Sequence, residues 1–279
     1  MSADDLTSPQ PAGPSSVGPV WTLDPAWQAV DFVSDLHLAD DTPQTLARFT
    51  AYLQHTTADA VLLLGDVFEA WVGDDCLGER DSFEAQLAAE LMQVARQRCV
   101  SFMVGNRDFL FGAAACEQIG LKPLADPMTL QAWSQRTLLS HGDAWCLDDA
   151  PYQAFRAQVR SAAWHQAVLA RPLAERRALA RQMRSASDGR KQEHGMSVYA
   201  DLDAGTVERA LQATDASVLV HGHTHRPADH VLASGRRRLV LSDWHTEPDG
   251  SAPRAEVLRW SASGFERLRV DEQGQLHPC

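Results

Sequence analysis

The feature that most constrains the fold is a series of short apolar segments with helical patterns between them. The first four segments are residues 29–34, 60–65, 99–105 and 136–140, each bounded by turn residues, which is typical of buried strands. Amphipathic helical patterns begin at Thr42-Pro43 and near residue 82. This alternation of strand and helix predicts a layered α/β architecture.

The C-terminal third has a different pattern. A fifth strand is predicted at residues 217–222, and further strand-like runs follow near residues 238–242, 256–260 and 265–270 with little helix between them. This part of the chain therefore predicts a β-rich second layer.

Roughly 75 residues of mainly helical pattern separate the fourth strand from the fifth, which is too long for a simple connection and predicts an insertion. Residues 151–195 carry nine basic and three acidic residues, a net charge of +6 in a chain whose net charge is −12. One interpretation is a solvated helical hairpin with a basic face. The other is a lid for an anionic amphiphile or a membrane surface, because aromatic and aliphatic residues are interleaved with the arginines.

Composition excludes several classes of protein. The acidic surplus argues against a general nucleic-acid binder. The longest apolar stretches are far shorter than the roughly 20 residues that a membrane-spanning helix needs. Five cysteines without CxxC spacing indicate neither a disulfide framework nor a zinc knuckle, and favour a cytoplasmic location. We expect residues 1–20 to be a disordered tail and residues 28–272 to form one domain that includes a helical insertion at 150–200.

Potential metal ligands follow each of the five predicted strands, at the strand ends where functional groups collect in α/β folds. The segments are SDLH at 34–37, GD at 65–66, GNRD at 105–108, HGD at 141–143 and HGHTH at 221–225. An extended backbone would direct Asp35 and His37 to one side, and likewise His223 and His225. Asp66 has two carboxylate oxygens and could bridge two ions about 3.5–4 Å apart. The set contains no cysteine, which disfavours a structural zinc site.

Five longer segments, in this order, resemble the calcineurin-like metallophosphoesterases: DLH, GDVFEAWVGDD, GNRDFL, HGDAWCLDD and HGHTHRP. Within this superfamily, the five segments are similar to those of the UDP-2,3-diacylglucosamine hydrolases, the pyrophosphatases of lipid A biosynthesis. The resemblance covers about residues 29–245. It implies a four-layer α/β sandwich of two mixed β-sheets flanked by helices, with the insertion as a helical lid over acyl chains.

The resemblance also implies roles for individual residues. One metal ion, usually manganese, would be bound by Asp35, His37, Asp66 and His225, and a second by Asp66, Asn106, His141 and His223. The implied substrate contacts are Asn106, Arg107, Asp149, Ser187, Lys191, His194 and His223. The family often has Asn where this chain has Lys191 and Lys where it has His194. The implied partners are the UDP-linked diacylated glucosamine lipid and the inner-membrane surface, with no nucleic acid and no obligate protein partner.

Arg107 favours pyrophosphate chemistry independently of the resemblance. Many metallophosphoesterases have His at this position, where it can protonate an alkoxide leaving group. An arginine, with a pKa above about 12, is a poor general acid. A phosphate monoester, with a second pKa of about 6, leaves with little need for protonation. Arg107 would then clamp the diphosphate, whereas the structural alternative is an ion pair with Asp108 or another acid.

We therefore predict a metal-dependent hydrolase that cleaves UDP-2,3-diacylglucosamine to UMP and 2,3-diacylglucosamine 1-phosphate (lipid X). Asn106 and Arg107 are its predicted catalytic residues. The predicted location is the cytoplasm, with peripheral association with the inner membrane. Two alternatives remain open. The first is a phosphodiesterase or pyrophosphatase for a soluble nucleotide. The second is a non-catalytic protein-binding module on a degenerate metallophosphoesterase scaffold.

Overall fold

The computed structural model describes residues 18–194 and 200–279, and of residues 186–194 it describes only the helical backbone. The strands are β1 Val20–Thr22, β2 Ala29–Val33, β3 Ala60–Leu64, β4 Cys99–Met103, β5 Lys122–Pro123, β6 Met128–Ala132, β7 Gln135–Ser140, β8 Val218–His221, β9 Ala228–Val231, β10 Arg237–Val240, β11 Glu256–Ser261, β12 Gly264–Val270 and β13 Leu276–Pro278. The helices are α1 Pro43–His55, α2 Phe83–Ala95, α3 Ala113–Ile119, α4 Ala150–Val159, α5 Ala162–Leu169, α6 Leu173–His194 and α7 Ala204–Ala213, with short 3₁₀ helices at Asp74–Gly78 and Asp143–Trp145.

The strands form two mixed sheets. The six-stranded sheet has the order β1-β6-β7-β8-β10-β9, and the seven-stranded sheet has the order β13-β12-β11-β2-β3-β4-β5. β2, β3 and β4 are parallel neighbours, and so are β7 and β8. Their carboxyl ends therefore carry the five polar segments that the sequence singles out.

The layers follow from the alternation of side chains along each strand. In β3, Leu62 and Leu64 lie in the core between the two sheets, whereas Val61 and Leu63 pack with α1, α2 and α3 on the outer face. On the other side, Leu219 of β8 packs against α7. The predicted four-layer sandwich of two mixed sheets flanked by helices is confirmed.

One prediction about the C-terminal third needs correction. The β-rich C-terminal third does not form a layer of its own, because β10 joins the six-stranded sheet while β11, β12 and β13 extend the seven-stranded one. β1 and β13 lie outside the predicted domain limits of 28 and 272 and belong to the two sheets, since β1 pairs with β6 and β13 pairs with β12. Residues 1–17 of the predicted tail lie outside the described residues.

The segment predicted as a helical insertion contains α4, α5 and α6. α4 begins after Asp149, whose carboxylate accepts a hydrogen bond from the backbone N–H of Tyr152 at 3.0 Å, and Ser161 caps α5 in the same way through Trp164. In the part of the chain that the structure describes, no helix combines the length and apolar character needed to cross a membrane.

Candidate metal centre

Five of the seven predicted metal ligands have a left-handed backbone. The φ angles are 53° at Asp35, 48° at His37, 54° at Asp66, 68° at His223 and 53° at His225. The predicted extended backbone at Asp35–His37 and His223–His225 is therefore wrong. These side chains converge because the chain turns sharply at each ligand, a conformation that non-glycine residues adopt only when the surroundings hold it.

We call Asp35, His37, Asp66 and His225 the first donor set. His37 Nε2 lies 3.2 Å from His225 Nε2 and 3.8 Å from Asp66 Oδ2. His225 Nε2 lies 3.4 Å from Asp35 Oδ1. The ligand atoms of Asp35, His37 and His225 are all within 4.8 Å of one another, which is close enough for them to share one ion.

We call Asp66, Asn106, His141 and His223 the second donor set. The Asn106 side-chain oxygen lies 2.9 Å from His141 Nε2 and 2.7 Å from His223 Nδ1. Asp66 Oδ1 lies 3.7 Å from His141 Nε2, while its other oxygen faces His37. Asp66 therefore stands between the two sets, and the structure brings all seven predicted ligands together. Imidazole, carboxylate and amide donors without a thiol fit hard or borderline divalent ions.

Glu69, which the sequence does not single out, contacts both the predicted metal ligand His37 and Arg107. Its carboxylate lies 2.8 Å from His37 Nδ1, accepts a hydrogen bond from Arg107 Nη1 at 3.1 Å, and lies 3.4 Å from Arg184 Nε. Burial raises the pKa of Glu69, but these positive partners outweigh it and lower the pKa to about 2. A proton on His37 Nδ1 directed at Glu69 leaves the Nε2 lone pair facing the metal centre. The only signal in the sequence is its place three residues after Asp66.

The sequence left open that Arg107 forms an ion pair with Asp108 or another acid. Arg107 does form an ion pair, and its partner is Glu69 and not Asp108. The buried Asp108 instead accepts hydrogen bonds from the backbone N–H groups of Gly105 at 2.6 Å and Val67 at 2.9 Å. The Arg107 backbone N–H donates to Asp66 Oδ1 at 2.8 Å. The ion pair therefore holds the guanidinium beside the metal centre.

A cavity of about 460 Å³ extends from the metal centre to the insertion. Its charged end includes His37, Asp66 and Arg107, and its other end is lined by apolar side chains from the main body and from α4, α5 and α6. Of the predicted substrate contacts, Asn106, Arg107, Asp149 and His223 line this cavity. The side chains of Ser187, Lys191 and His194 lie outside the described part of the structure.

Gly105 lets the GNRD segment approach Asp66, so we expect Gly105→Ala to disrupt metal binding. A β-carbon at this position would lie 2.1 Å from Asp66 Oδ1 and 2.4 Å from the Asp66 backbone nitrogen. Forcing these atoms apart should cost about 1–3 kcal/mol, or roughly five- to 150-fold in metal affinity. Gly78→Ala is the control, because an added β-carbon there meets nothing within 4 Å. Equal metal affinity of the two variants would contradict the close approach.

Comparison with known proteins agrees with this architecture. The model of the calcineurin-like phosphoesterase family matches residues 29–227. The chain is 46% identical over 219 residues to a UDP-2,3-diacylglucosamine hydrolase of Chromobacterium violaceum, covering 78% of this chain and 91% of the relative. It is 40% identical over 238 residues to the hydrolase of that name from Aromatoleum aromaticum (84% and 93% covered), and 42% identical over 232 residues to that from Bordetella pertussis (80% and 88%). The chain therefore belongs to the calcineurin-like phosphoesterases and, within them, to the family of the UDP-2,3-diacylglucosamine hydrolases.

Proposed function

We propose that the chain hydrolyses the diphosphate of UDP-2,3-diacylglucosamine to UMP and 2,3-diacylglucosamine 1-phosphate, a step of lipid A biosynthesis. The observation that carries this proposal is the cavity with a charged end and an apolar end. The substrate has the same division, because its diphosphate is charged and its two acyl chains are apolar. Trp71, Phe109 and Trp164 line the apolar end and would contact hydrocarbon.

The proposed cofactor is two Mn²⁺ ions per chain, one in each donor set. Nitrogen and oxygen ligands without a thiolate suit manganese, and the two oxygens of Asp66 face the two sets separately. When bound, the ions supply Lewis acidity to the phosphoryl oxygens and activate water. His37, oriented by Glu69, and His141, whose Nδ1 lies 2.9 Å from the Leu64 carbonyl oxygen, would present fixed nitrogens to them.

Arg107 would bind the diphosphate oxygens and offset the charge that develops on the leaving phosphate. Arginine is a poor general acid, so Arg107 would bind charge without transferring a proton. Glu69 holds one guanidinium nitrogen, Nη1, and thereby sets the direction in which the group faces the cavity. Asn106 would place its amide oxygen between His141 and His223.

The deciding experiment compares three substrates after chelation and readdition of Mn²⁺: the diacylated UDP-sugar, its deacylated form and an aryl phosphodiester. We expect the diacylated substrate to be cleaved with the highest kcat/KM. Equal cleavage of the deacylated form would favour an enzyme for soluble nucleotides. Failure to cleave any of the three with metal bound would favour the non-catalytic binding module.

We also propose that the insertion contacts the inner-membrane surface, where an acylated substrate would reside. The segment at 151–195 is strongly basic within an acidic chain. Leu147, Phe155 and Leu169, on or next to the insertion, are large apolar side chains with exposed fractions of 41%, 36% and 42%. Exposed apolar groups beside basic ones are typical of surfaces that bind anionic membranes.

Reversing the charge of two exposed arginines of the insertion should weaken membrane binding. Arg171→Glu with Arg181→Glu should cost at least about 2 kcal/mol, roughly 30-fold in affinity for anionic vesicles at low salt, and less at high salt. Vesicle co-sedimentation measures this. Arg96→Glu with Arg269→Glu is the control, since these exposed residues lie outside the insertion. If both double variants bound vesicles equally well, the proposal that the insertion contacts the membrane would be contradicted.

A further inference from the structure

The buried Asp143 connects the first helix of the insertion to the end of strand β7. Its carboxylate oxygen Oδ2 accepts hydrogen bonds from the Tyr152 hydroxyl at 2.8 Å and from Arg156 Nε at 2.7 Å. Its backbone carbonyl oxygen accepts a third, from Gln153 Nε2 at 2.8 Å. All three donors belong to α4. Three side chains of α4 therefore contact the main body through Asp143.

Asp143 also limits how the chain can turn after His141. The intervening Gly142 has no side chain and has a φ of 112°. Asp143 is therefore the first residue after His141 whose side chain can hold this turn. It is completely buried. The Leu64 carbonyl oxygen fixes the His141 ring at Nδ1, and we infer that the turn held by Asp143 keeps the His141 backbone where Nε2 lies close to Asn106 and Asp66.

A second contact reaches the GNRD segment from the end of α4. Arg160 donates from Nη2 to the Gly105 carbonyl oxygen at 2.7 Å, and the same nitrogen lies 3.7 Å from Asp143 Oδ2. Gly105 directly precedes Asn106. In addition, the Tyr152 ring lies 5.8 Å from the His223 ring, between ring centroids. The contacts of α4 thus reach the segments that carry His141, Asn106 and His223.

The first donor set has a different connection to the insertion. In the described part of the chain, no hydrogen bond or ion pair joins α4 to Asp35, His37 or His225. The insertion approaches this set through Arg184 of α6, which lies 3.4 Å from Glu69 and is 42% exposed. Partly exposed ion pairs contribute little, whereas a buried carboxylate with several donors fixes geometry firmly.

We propose that Asp143 is a positioning residue that makes the second donor set, and not the first, depend on the docking of α4. The insertion then has two tasks, since its helices line the cavity and α4 also holds the second donor set in place. This inference rests on the two-ion centre of the proposed function.

The test is equilibrium dialysis against Mn²⁺ of the whole chain after a chelator has removed its metal ions. Wild-type protein should bind two ions. Asp143→Asn, which removes the charge but keeps the shape, should bind one ion with unchanged affinity and the other about 10- to 100-fold more weakly, as is typical when a group that orients ligands is lost. Arg156→Gln breaks the same contact from the side of α4 and should give the same selective loss, so it decides the question if Asp143→Asn does not fold.

Asp75→Asn is the matched control. Asp75 accepts a hydrogen bond from Arg176 Nη1 of α6 at 2.8 Å, so this variant makes the same chemical change in another contact between the insertion and the body. It should keep both ions. Two ions with wild-type affinity in Asp143→Asn, or equal weakening of both ions, would overturn the inference. A single ion in wild-type protein would instead overturn the two-ion centre itself.

Discussion

Asp66→Ala is expected to abolish most metal binding and turnover while the fold remains. Asp66 directs one oxygen at each donor set and also accepts the Arg107 backbone N–H. Its removal should therefore lower metal affinity by more than the roughly 10–100-fold that is typical when a residue that only orients ligands is lost. The fold should persist because the two sheets and their core do not depend on this side chain.

Metal analysis, circular dichroism and turnover of the purified variant check this expectation. Asp229→Ala is the control, because Asp229 is an acid with ion-pair partners, Arg237 and Arg267, but lies on the edge strand β9 and belongs to neither donor set. If Asp66→Ala retained two ions and near-normal turnover, the assignment of both donor sets would be wrong.

Arg107→Ala is expected to lower turnover of the diphosphate by roughly 10²- to 10³-fold, as in the loss of one group that stabilises transition-state charge. Because arginine does not exchange its proton between pH 5 and 9, the shape of the pH profile should stay the same. The measurement is kcat/KM across this range, with Arg267→Ala as a control for the loss of an ion-paired arginine. Loss of a titrating limb, or a fall in stability without a fall in turnover, would mean that Arg107 is not the charge clamp.

Arg107→His separates charge binding from proton donation. A single imidazole does not reproduce a bidentate guanidinium, so we expect little recovery of diphosphate cleavage. Cleavage of aryl or alkyl phosphoesters should improve relative to the diphosphate, because their poorer leaving groups benefit from a general acid. Equal diphosphate activity of Arg107→His and wild type would contradict the proposed role.

The sequence predicts the central strands because each is an apolar run long enough to stand out. β2, β3, β4, β7 and β8 fall within two residues of their predicted positions. β1, β5 and β13 escape prediction because they have only two or three residues, too few for any periodicity. These short strands form only by pairing with a neighbouring strand. In β1, for example, Trp21 pairs with Leu130 of β6.

The ligands are predictable for a similar reason, whereas the residues that orient them are not. Seven donors stand in five short segments that can be read directly. Glu69 and Asp143 are ordinary acids beside those segments, and only the fold places them against His37, Tyr152 and Arg156. The left-handed backbone of the ligands also has no local signal, because no glycine occupies those positions.

That backbone implies a compromise between stability and activity. Non-glycine residues in unfavourable backbone conformations cost of order 1–3 kcal/mol each, and five of them meet in one small region. A domain of ordinary stability has only about 5–15 kcal/mol in total. Bound ions would offset this strain, so the metal-free protein should be the form most easily unfolded. Replacing a single ligand such as His37 by glycine, which tolerates left-handed φ, could then make the apoprotein more heat-resistant than the wild-type apoprotein even as it destroys the enzyme.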